Sequence, residues 1–252
     1  MRLSFSPPSL RSFIFFAALA VSVSGCSVVA TQQAGRAPAS QKPAASPAAP
    51  QRATPAQGEA IERPASEPYA GDLSIFEYPD RDQKLQIERV MDVLGIREGS
   101  GVADIGAGSG WFTVRAARRA GAKGTVYAVE INRDYLKHIE ARAAEEKLAN
   151  IRTVLGTEDD PALPEKSVDA ALILKTYHEI AQPIRVLVRL RQSLREGARL
   201  GIIDRNGKGD DHGIARETVI KEAARAGFSL VEEYDFVKGD GMDYFLVFRV
   251  GK

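Results

Sequence analysis

Short apolar segments alternate with segments of helical periodicity through most of this chain, and the alternation limits the possible folds. Five apolar segments come first: "GVADIG", "GTVYAVE", "IRTVLG", "VDAALIL" and "ARLGIID". Strands that are apolar at nearly every position are typical of parallel sheets covered by helices on both faces. Two further strands, "FSLVEEYDFV" and "DYFLVFRV", are separated only by "KGDGM", which is too short for a crossover helix. We therefore predict an α/β fold: a mostly parallel seven-stranded sheet with an antiparallel terminal hairpin and helices on both faces.

Two local patterns give more specific expectations at the start of this fold. The segment "DRDQKLQIERVMDVLGI" places Ile87, Val90, Met91 and Leu94 at helical spacing and predicts a helix that ends at Gly95. Ser109 stands just before the next helical segment, where a hydroxyl can cap the first turn.

The N-terminus predicts export. Arg2 and Arg11 precede "FIFFAALAVSV", an apolar stretch too short to span a bilayer, followed by "VSGC". This ending resembles the lipobox of bacterial lipoproteins, in which the cysteine is lipidated. We therefore predict a signal peptide over residues 1–25 and lipidation of Cys26, the only cysteine of the chain. The alternative is an ordinary cleaved signal with an incidental cysteine.

A proline-rich segment separates this N-terminus from the folded part. Seven of the 13 prolines fall between residues 31 and 70, among Ala, Gln and Ser, so the segment buries little apolar surface. We predict that residues 26–70 are the lipidated cysteine and a disordered linker, and that residues 71–252 are one domain at the cell envelope, on the periplasmic side of a membrane. The formal net charge of +1 argues against a nucleic-acid partner.

The first strand runs into a glycine-rich turn, "DIGAGSGWF", with the pattern D-x-G-x-G-x-G. Its residues are Asp104, Gly106, Gly108 and Gly110. In open parallel sheets the first strand–helix turn is a usual seat for a ligand. A dinucleotide fingerprint, G-x-G-x-x-G, would need a third glycine where this chain has Trp111.

The sequence is identified by these segments as similar to the class I S-adenosylmethionine-dependent methyltransferases, in particular to small bacterial members of undefined substrate. "DIGAGSG", "VYAVEI", "GTEDDPALPEKSVDAAL" and the closing "YFLVF" occur in the order typical of that family, over roughly residues 76–250. The resemblance implies a Rossmann-like methyltransferase fold, S-adenosyl-L-methionine as cofactor, and a methyl acceptor, for which we expect a small molecule.

The resemblance also implies roles for individual residues. Glu130, at the end of the second strand, is expected to bind the ribose hydroxyls, and its alternative is a solvated strand-end acid. Asp104 is expected to face the methionine part of the cofactor or, alternatively, to bond the amides of its own turn. Gly106 and Gly108 leave room for the cofactor, whereas Gly110 serves the cofactor or helix packing. Asp159, with Glu158 second, is expected near the adenine amino group, and a solvated acidic loop is the alternative.

The segment "KTYHEI" follows the fourth strand, where catalytic groups usually emerge. His178 is our first candidate for a base, with Tyr177 beside it and Glu179 as a third candidate; the alternative is packing plus a backbone hydrogen bond. Lys175 stands where related sequences often carry an acid. His212 is expected to be a solvated loop residue. No His, Cys and Asp cluster has zinc-like spacing, so we predict no metal.

Three functions therefore compete. The first is a lipid-anchored methyltransferase with a small-molecule acceptor. The second is a lipoprotein that binds S-adenosylmethionine or S-adenosylhomocysteine without turnover, and the third is an NAD-dependent oxidoreductase.

Overall fold

The computed structural model describes residues 64–209, 211–237 and 242–251. The predicted signal peptide, Cys26 and the linker up to residue 63 lie outside the described residues. Seven strands form one sheet in the order β3-β2-β1-β4-β5-β7-β6. The strands are β1 (Gly101–Ile105), β2 (Thr125–Glu130), β3 (Ile151–Leu155), β4 (Val168–Leu174), β5 (Leu194–Arg205), β6 (Phe228–Tyr234) and β7 (Asp243–Val250).

The pairing of these strands confirms the predicted topology. β1 to β5 pair with their neighbours in parallel, whereas β7 is antiparallel to both β5 and β6. The strand order reverses at β1, which lies between β2 and β4. Ligands bind at such a reversal in open α/β sheets, beyond the carboxyl ends of the strands.

In the described part of the chain, six α-helices cover the two faces of the sheet: α1 (Arg81–Leu85), α2 (Ile87–Leu94), α3 (Trp111–Ala120), α4 (Arg133–Glu145), α5 (Pro183–Ser193) and α6 (Arg216–Arg225). The apolar side chains of α2, α3 and α4 pack into one core layer, and those of α5 and α6 pack into the other. Among the described residues, no helix combines the length and the apolar composition that a membrane span requires.

The helix predicted to end at Gly95 is α2: Ile87, Val90, Met91 and Leu94 are its buried residues, and Gly95 is its C-cap. Gln86, between α1 and α2, has a φ of 47° in the left-handed region, and its side-chain amide donates to the Phe236 carbonyl over 2.9 Å.

One local prediction was wrong. Ser109 does not cap α3. The capping position belongs to Gly110, and the Ser109 hydroxyl instead donates to Glu77 Oε1 over 2.7 Å.

Candidate functional site

A cavity of about 740 Å³ opens at the carboxyl ends of β1, β2 and β4, where the strand order reverses. Its volume is in the range of small-molecule and cofactor sites. The walls come from the glycine turn after β1, the ends of β2 and β4, the loop after β3 and the segment 65–70. The charged side chains at these walls are Asp104, Glu130, Glu158, Glu179, Arg81 and Lys175, with Glu67 from the N-terminal segment.

The glycine turn has a backbone that other residues rarely adopt. Gly106, Gly108 and Gly110 have φ values of 72°, 55° and 75°, in the left-handed region that favours glycine. A Cβ atom at Gly106 would stand 2.3 Å from Thr176 Cγ2, and one at Gly108 would stand 3.4 Å from the Phe76 ring. Thr176 and Phe76 both line the cavity. The turn therefore keeps bare backbone at the cavity wall, as expected for a close-approach site.

Gly110 serves a different contact. A Cβ atom there would stand 3.1 Å from Ile139 Cγ1 on α4. Of the two alternatives for this glycine, helix packing is the one that the geometry provides.

Glu130 ends β2 with its carboxylate fixed by three backbone amides. Oε2 accepts from the Gly108 amide at 3.0 Å, and Oε1 accepts from the amides of Ile131 at 2.8 Å and Asn132 at 3.2 Å. Glu130 lines the cavity and is 8% exposed. Because each carboxylate oxygen has two lone pairs, the three amides leave one acceptor site, on Oε2, for a hydroxyl group of a ligand.

Asp104 lies at the bottom of the same wall and is 2% exposed. Its Oδ2 accepts from the Thr113 hydroxyl over 2.6 Å. Burial raises the pKa of Asp104 to about 7; the Thr113 hydrogen bond and the Arg81 charge act in the opposite direction, and the Glu130 charge adds to the rise. A cationic ligand group beside Asp104 would favour its ionised form.

The two acids after β3 are placed differently. Glu158 lines the cavity. Asp159 is not among the lining residues: its carboxylate accepts from the Thr157 hydroxyl over 2.9 Å and faces Arg185 at 3.6 Å. Of the two predicted acids, Glu158 is therefore the one whose position at the cavity wall would allow contact with a ligand.

The turn Tyr177–Glu179 is a single 3₁₀ turn, and its three side chains point to different surroundings. Tyr177 is fully buried, and its hydroxyl donates to Glu222 Oε2 on α6 over 2.8 Å, so it does not reach the cavity. Glu179 lines the cavity, whereas His178 does not and lies behind it. Glu179 is therefore the residue of this turn that can contact a bound molecule.

His178 is held by a buried acid. Its Nδ1 lies 2.9 Å from Oδ1 of Asp204, and its amide donates to Oδ2 of Asp204 over 3.0 Å. Burial of the ring disfavours its charge, but the hydrogen bond and the charge of Asp204, helped by Glu179, outweigh burial and raise the pKa of His178. Burial raises the pKa of Glu179 to about 7, although His178 and the Tyr69 amide favour the carboxylate.

Three cavity residues were not predicted as site residues: Arg81, Trp111 and Lys175. Arg81 is 7% exposed and lies 4.2 Å above the ring of Trp111, while Arg115 lies 4.0 Å from the same ring. Trp111 is thus in contact with two guanidinium groups at the cavity wall. Lys175, which adopts a φ of 56°, also lines the cavity and forms an ion pair with Asp243.

The segment from Pro64 to Ala70 belongs to the predicted linker, yet it packs against the domain. The Ser66 amide donates to the His178 carbonyl over 3.1 Å, and the Ser66 hydroxyl donates to the Gly209 carbonyl over 3.1 Å. Residues 65–70 all line the cavity. The last residues of the predicted linker therefore form part of the cavity wall.

Comparison with known proteins agrees with this geometry. Residues 102–197 match the protein family described as "Methyltransferase domain". Over 114 residues the chain is 31% identical to the nocamycin O-methyltransferase of Saccharothrix syringae, covering 45% of this chain and 41% of that protein. The chain spans less than half the length of the curated relatives it matches.

Solved structures show the same fold. A methyltransferase from Aquifex aeolicus, described as dependent on S-adenosylmethionine, superposes with a TM-score of 0.64 at 23% identity, over 72% of this chain and 100% of that chain. The [4+2]-cyclase SpnF superposes with a TM-score of 0.58 at 16% identity, over 76% of this chain and 87% of that one. The chain is thus similar to methyltransferases over residues 102–197, and the A. aeolicus protein, which shares its fold, is described as dependent on S-adenosylmethionine.

Proposed function

We propose that this chain, in which residues 102–197 form a methyltransferase domain, transfers a methyl group from S-adenosylmethionine to a small-molecule acceptor. One observation supports the proposal most: the carboxylate of Glu130 and the bare backbone of Gly106 and Gly108 line one 740 Å³ cavity. The residues present fit the cofactor, because Gly106 and Gly108 place backbone without side chains at the cavity wall and the acids match its hydroxyl and amino groups.

Each cavity acid has a distinct task in this proposal. Glu130 accepts a hydrogen bond from a ribose hydroxyl, and Glu158 accepts one from the adenine amino group. Asp104 faces the ammonium and sulfonium charges of the methionine part. When bound, the cofactor supplies a methyl group on a positively charged sulfur, which is displaced in line by the acceptor.

The chain's own residues must align the acceptor and keep water out. The segment 65–70 and the Phe76 ring cover one side of the cavity. Glu179 borders the cavity after the carboxyl end of β4, which lies next to β1, the strand that precedes the glycine turn. Glu179, rather than the predicted His178 or Tyr177, is therefore the group of this turn that contacts the acceptor, and His178 is a positioning residue behind it.

Release of S-adenosylhomocysteine in the presence of candidate acceptors tests the proposal. We expect turnover with at least one small acceptor, and its loss in Glu130→Ala and Gly106→Val. Glu98→Ala, an exposed acid far from the cavity lining, is the matched control and should keep full turnover. Incubation of cell extracts with labelled cofactor, followed by mass spectrometry, identifies the acceptor.

The second candidate is a protein that binds the cofactor without methyl transfer. The resemblance in fold to the [4+2]-cyclase SpnF favours keeping it, because a fold does not fix the reaction. Cofactor binding without turnover across a broad acceptor panel would support this candidate. An NAD-dependent oxidoreductase is the weakest candidate, since Trp111 occupies the place of the third glycine of a dinucleotide turn and lines the cavity.

We also propose that lipid on Cys26 tethers the protein to a membrane, on the periplasmic side of the cell envelope. The support is the sequence "VSGC" after an apolar stretch. Labelling with radioactive palmitate should mark the wild-type protein and not Cys26→Ser. Label that persists in Cys26→Ser would contradict the lipid anchor and leave the methyltransferase proposal untouched.

A further inference from the structure

We propose that His178, Glu179 and His212 form a binding site for a divalent transition-metal ion of the zinc class. Each residue offers one ligand atom, and the three atoms lie within 4.8 Å of one another. His178 Nε2 and Glu179 Oε1 are 3.8 Å apart, and the two imidazole rings have centroids 5.9 Å apart. Two imidazoles with one carboxylate are a donor set suited to Zn²⁺, Co²⁺ or Fe²⁺.

The buried acid behind His178 is an independent indication. Asp204, with 0% exposure, takes the Nδ1 side of the ring at 2.9 Å. Metal-ligating histidines usually donate their other ring N–H to a carboxylate, which fixes the tautomer and the ring orientation. With the Nδ1 proton bonded to Asp204, Nε2 carries the lone pair that a metal would use, and it lies 3.8 Å from Glu179 Oε1.

The backbone of the third ligand is held in place by the segment before the domain. His212 donates its amide to the Ser66 hydroxyl over 3.2 Å, while the Ser66 amide donates to the His178 carbonyl over 3.1 Å. One serine therefore ties the loop that carries His212 to the turn that carries His178. His212 also has a φ of 56°, a conformation that is uncommon for a residue with a side chain.

The distances suit closure around an ion. Bonds of about 2.0–2.1 Å in tetrahedral geometry place ligand atoms about 3.3 Å apart. The His178–Glu179 separation of 3.8 Å is already close to this value, and His212 is exposed on its loop, so its side chain is free to complete the contraction. Three protein ligands leave one tetrahedral position open, as in catalytic zinc sites.

The position of the site connects it to the cavity. Glu179 is shared, because it belongs to the cluster and also lines the cavity. The ion therefore lies at the cavity wall, with its open position available to water or to an oxygen or nitrogen of the acceptor. Sequence spacing predicted no metal, because His212 is far along the chain from the other two ligands and only the fold brings them together.

Metal titration of untagged protein without S-adenosylmethionine tests the site. Co²⁺ should bind at one equivalent with the visible absorption of a low-symmetry complex, and Zn²⁺ should displace it, whereas Mg²⁺ should not. His212→Ala and Glu179→Gln should each weaken binding more than about 100-fold, since loss of an outer-shell partner alone costs about 10–100-fold. Asp204→Asn, which changes the partner of His178 and not a metal ligand, should weaken Co²⁺ binding about 10–100-fold.

His138→Ala is the matched control, because His138 is an exposed histidine on α4, remote from the cluster. It should bind Co²⁺ as the wild type does. Trp111 fluorescence in each variant shows whether the fold is kept. Absence of stoichiometric Co²⁺ binding, or equal binding in folded His212→Ala, would overturn the site and would leave an ion-pair network in its place. Neither result bears on cofactor binding, which is measured separately.

Discussion

Replacement of Gly106 by alanine tests whether this position needs glycine for two reasons: its left-handed backbone conformation and its close contact with Thr176. A φ of 72° costs a residue with a Cβ about 1–2 kcal/mol. The added Cβ would also stand 2.3 Å from Thr176 Cγ2 and 2.9 Å from Thr176 Oγ1, and such overpacking costs about 1–3 kcal/mol. We therefore expect Gly106→Ala to lower the free energy of unfolding by about 2–5 kcal/mol, a large share of the ~5–15 kcal/mol typical of a domain.

Gly95→Ala separates the two contributions. Gly95 has a φ of 73°, but nothing lies within 4 Å of a Cβ built there, so only the backbone cost of about 1–2 kcal/mol applies. The gain from a less flexible unfolded chain is the same for both variants and cancels in their difference. The double variant Gly106→Ala/Thr176→Ala should regain part of the loss, because Cγ2 and Oγ1 are removed.

Urea unfolding followed by tryptophan fluorescence measures these differences. Trp111 is the only tryptophan and is 3% exposed, so its emission reports the loss of the fold. Equal costs for Gly106→Ala and Gly95→Ala, or no recovery in the double variant, would refute the steric argument at Thr176.

Three further predictions concern single residues. The folded-state pKa of Asp104 is raised from 3.8 to about 7. The wild type should therefore lose stability relative to Asp104→Asn as the pH rises from about 4 to 7, by up to about 4 kcal/mol at ~1.4 kcal/mol per pH unit. Urea unfolding at several pH values measures this, and a difference in unfolding free energy that does not change with pH would contradict it. Tyr177→Phe removes the hydroxyl that donates to buried Glu222 and should lower the free energy of unfolding by about 1–3 kcal/mol. Turnover should not change, and a loss of kcat in the folded variant would show that Tyr177 takes part in the reaction. Glu158→Gln should weaken cofactor binding about tenfold, whereas Asp159→Asn should leave the affinity unchanged. Calorimetric titration measures both affinities, and a larger loss in Asp159→Asn would assign the adenine contact to Asp159 instead.

The sheet could be predicted from the sequence because each strand is recognisable from its own local residues. Nearly continuous apolar segments and a short final connection are enough to predict the parallel strands and the hairpin. The helix that ends at Gly95 was predicted from local periodicity, whereas the contact of Gln86 with the Phe236 carbonyl joins residues 150 positions apart and has no local signal.

The site was predicted in part for a similar reason. The glycine turn and Glu130 are fixed by strand ends, so their positions follow from the fold. The turn at 177–179 is only three residues long, and a sequence does not tell which of its side chains faces the cavity. Ser66 lies in a segment whose composition predicts disorder, and only its contacts with His178, Gly209 and His212 show that it belongs to the wall.

Calorimetric titration with S-adenosylmethionine and with NAD tests the central claim most directly. We predict one S-adenosylmethionine site and no comparable NAD binding. Glu130→Gln should weaken the S-adenosylmethionine affinity by about 10–100-fold, as expected for loss of a charge-assisted hydrogen bond, and the exposed control Glu98→Gln should not change it. Tight NAD binding without S-adenosylmethionine binding, or unchanged affinity in Glu130→Gln, would contradict the account.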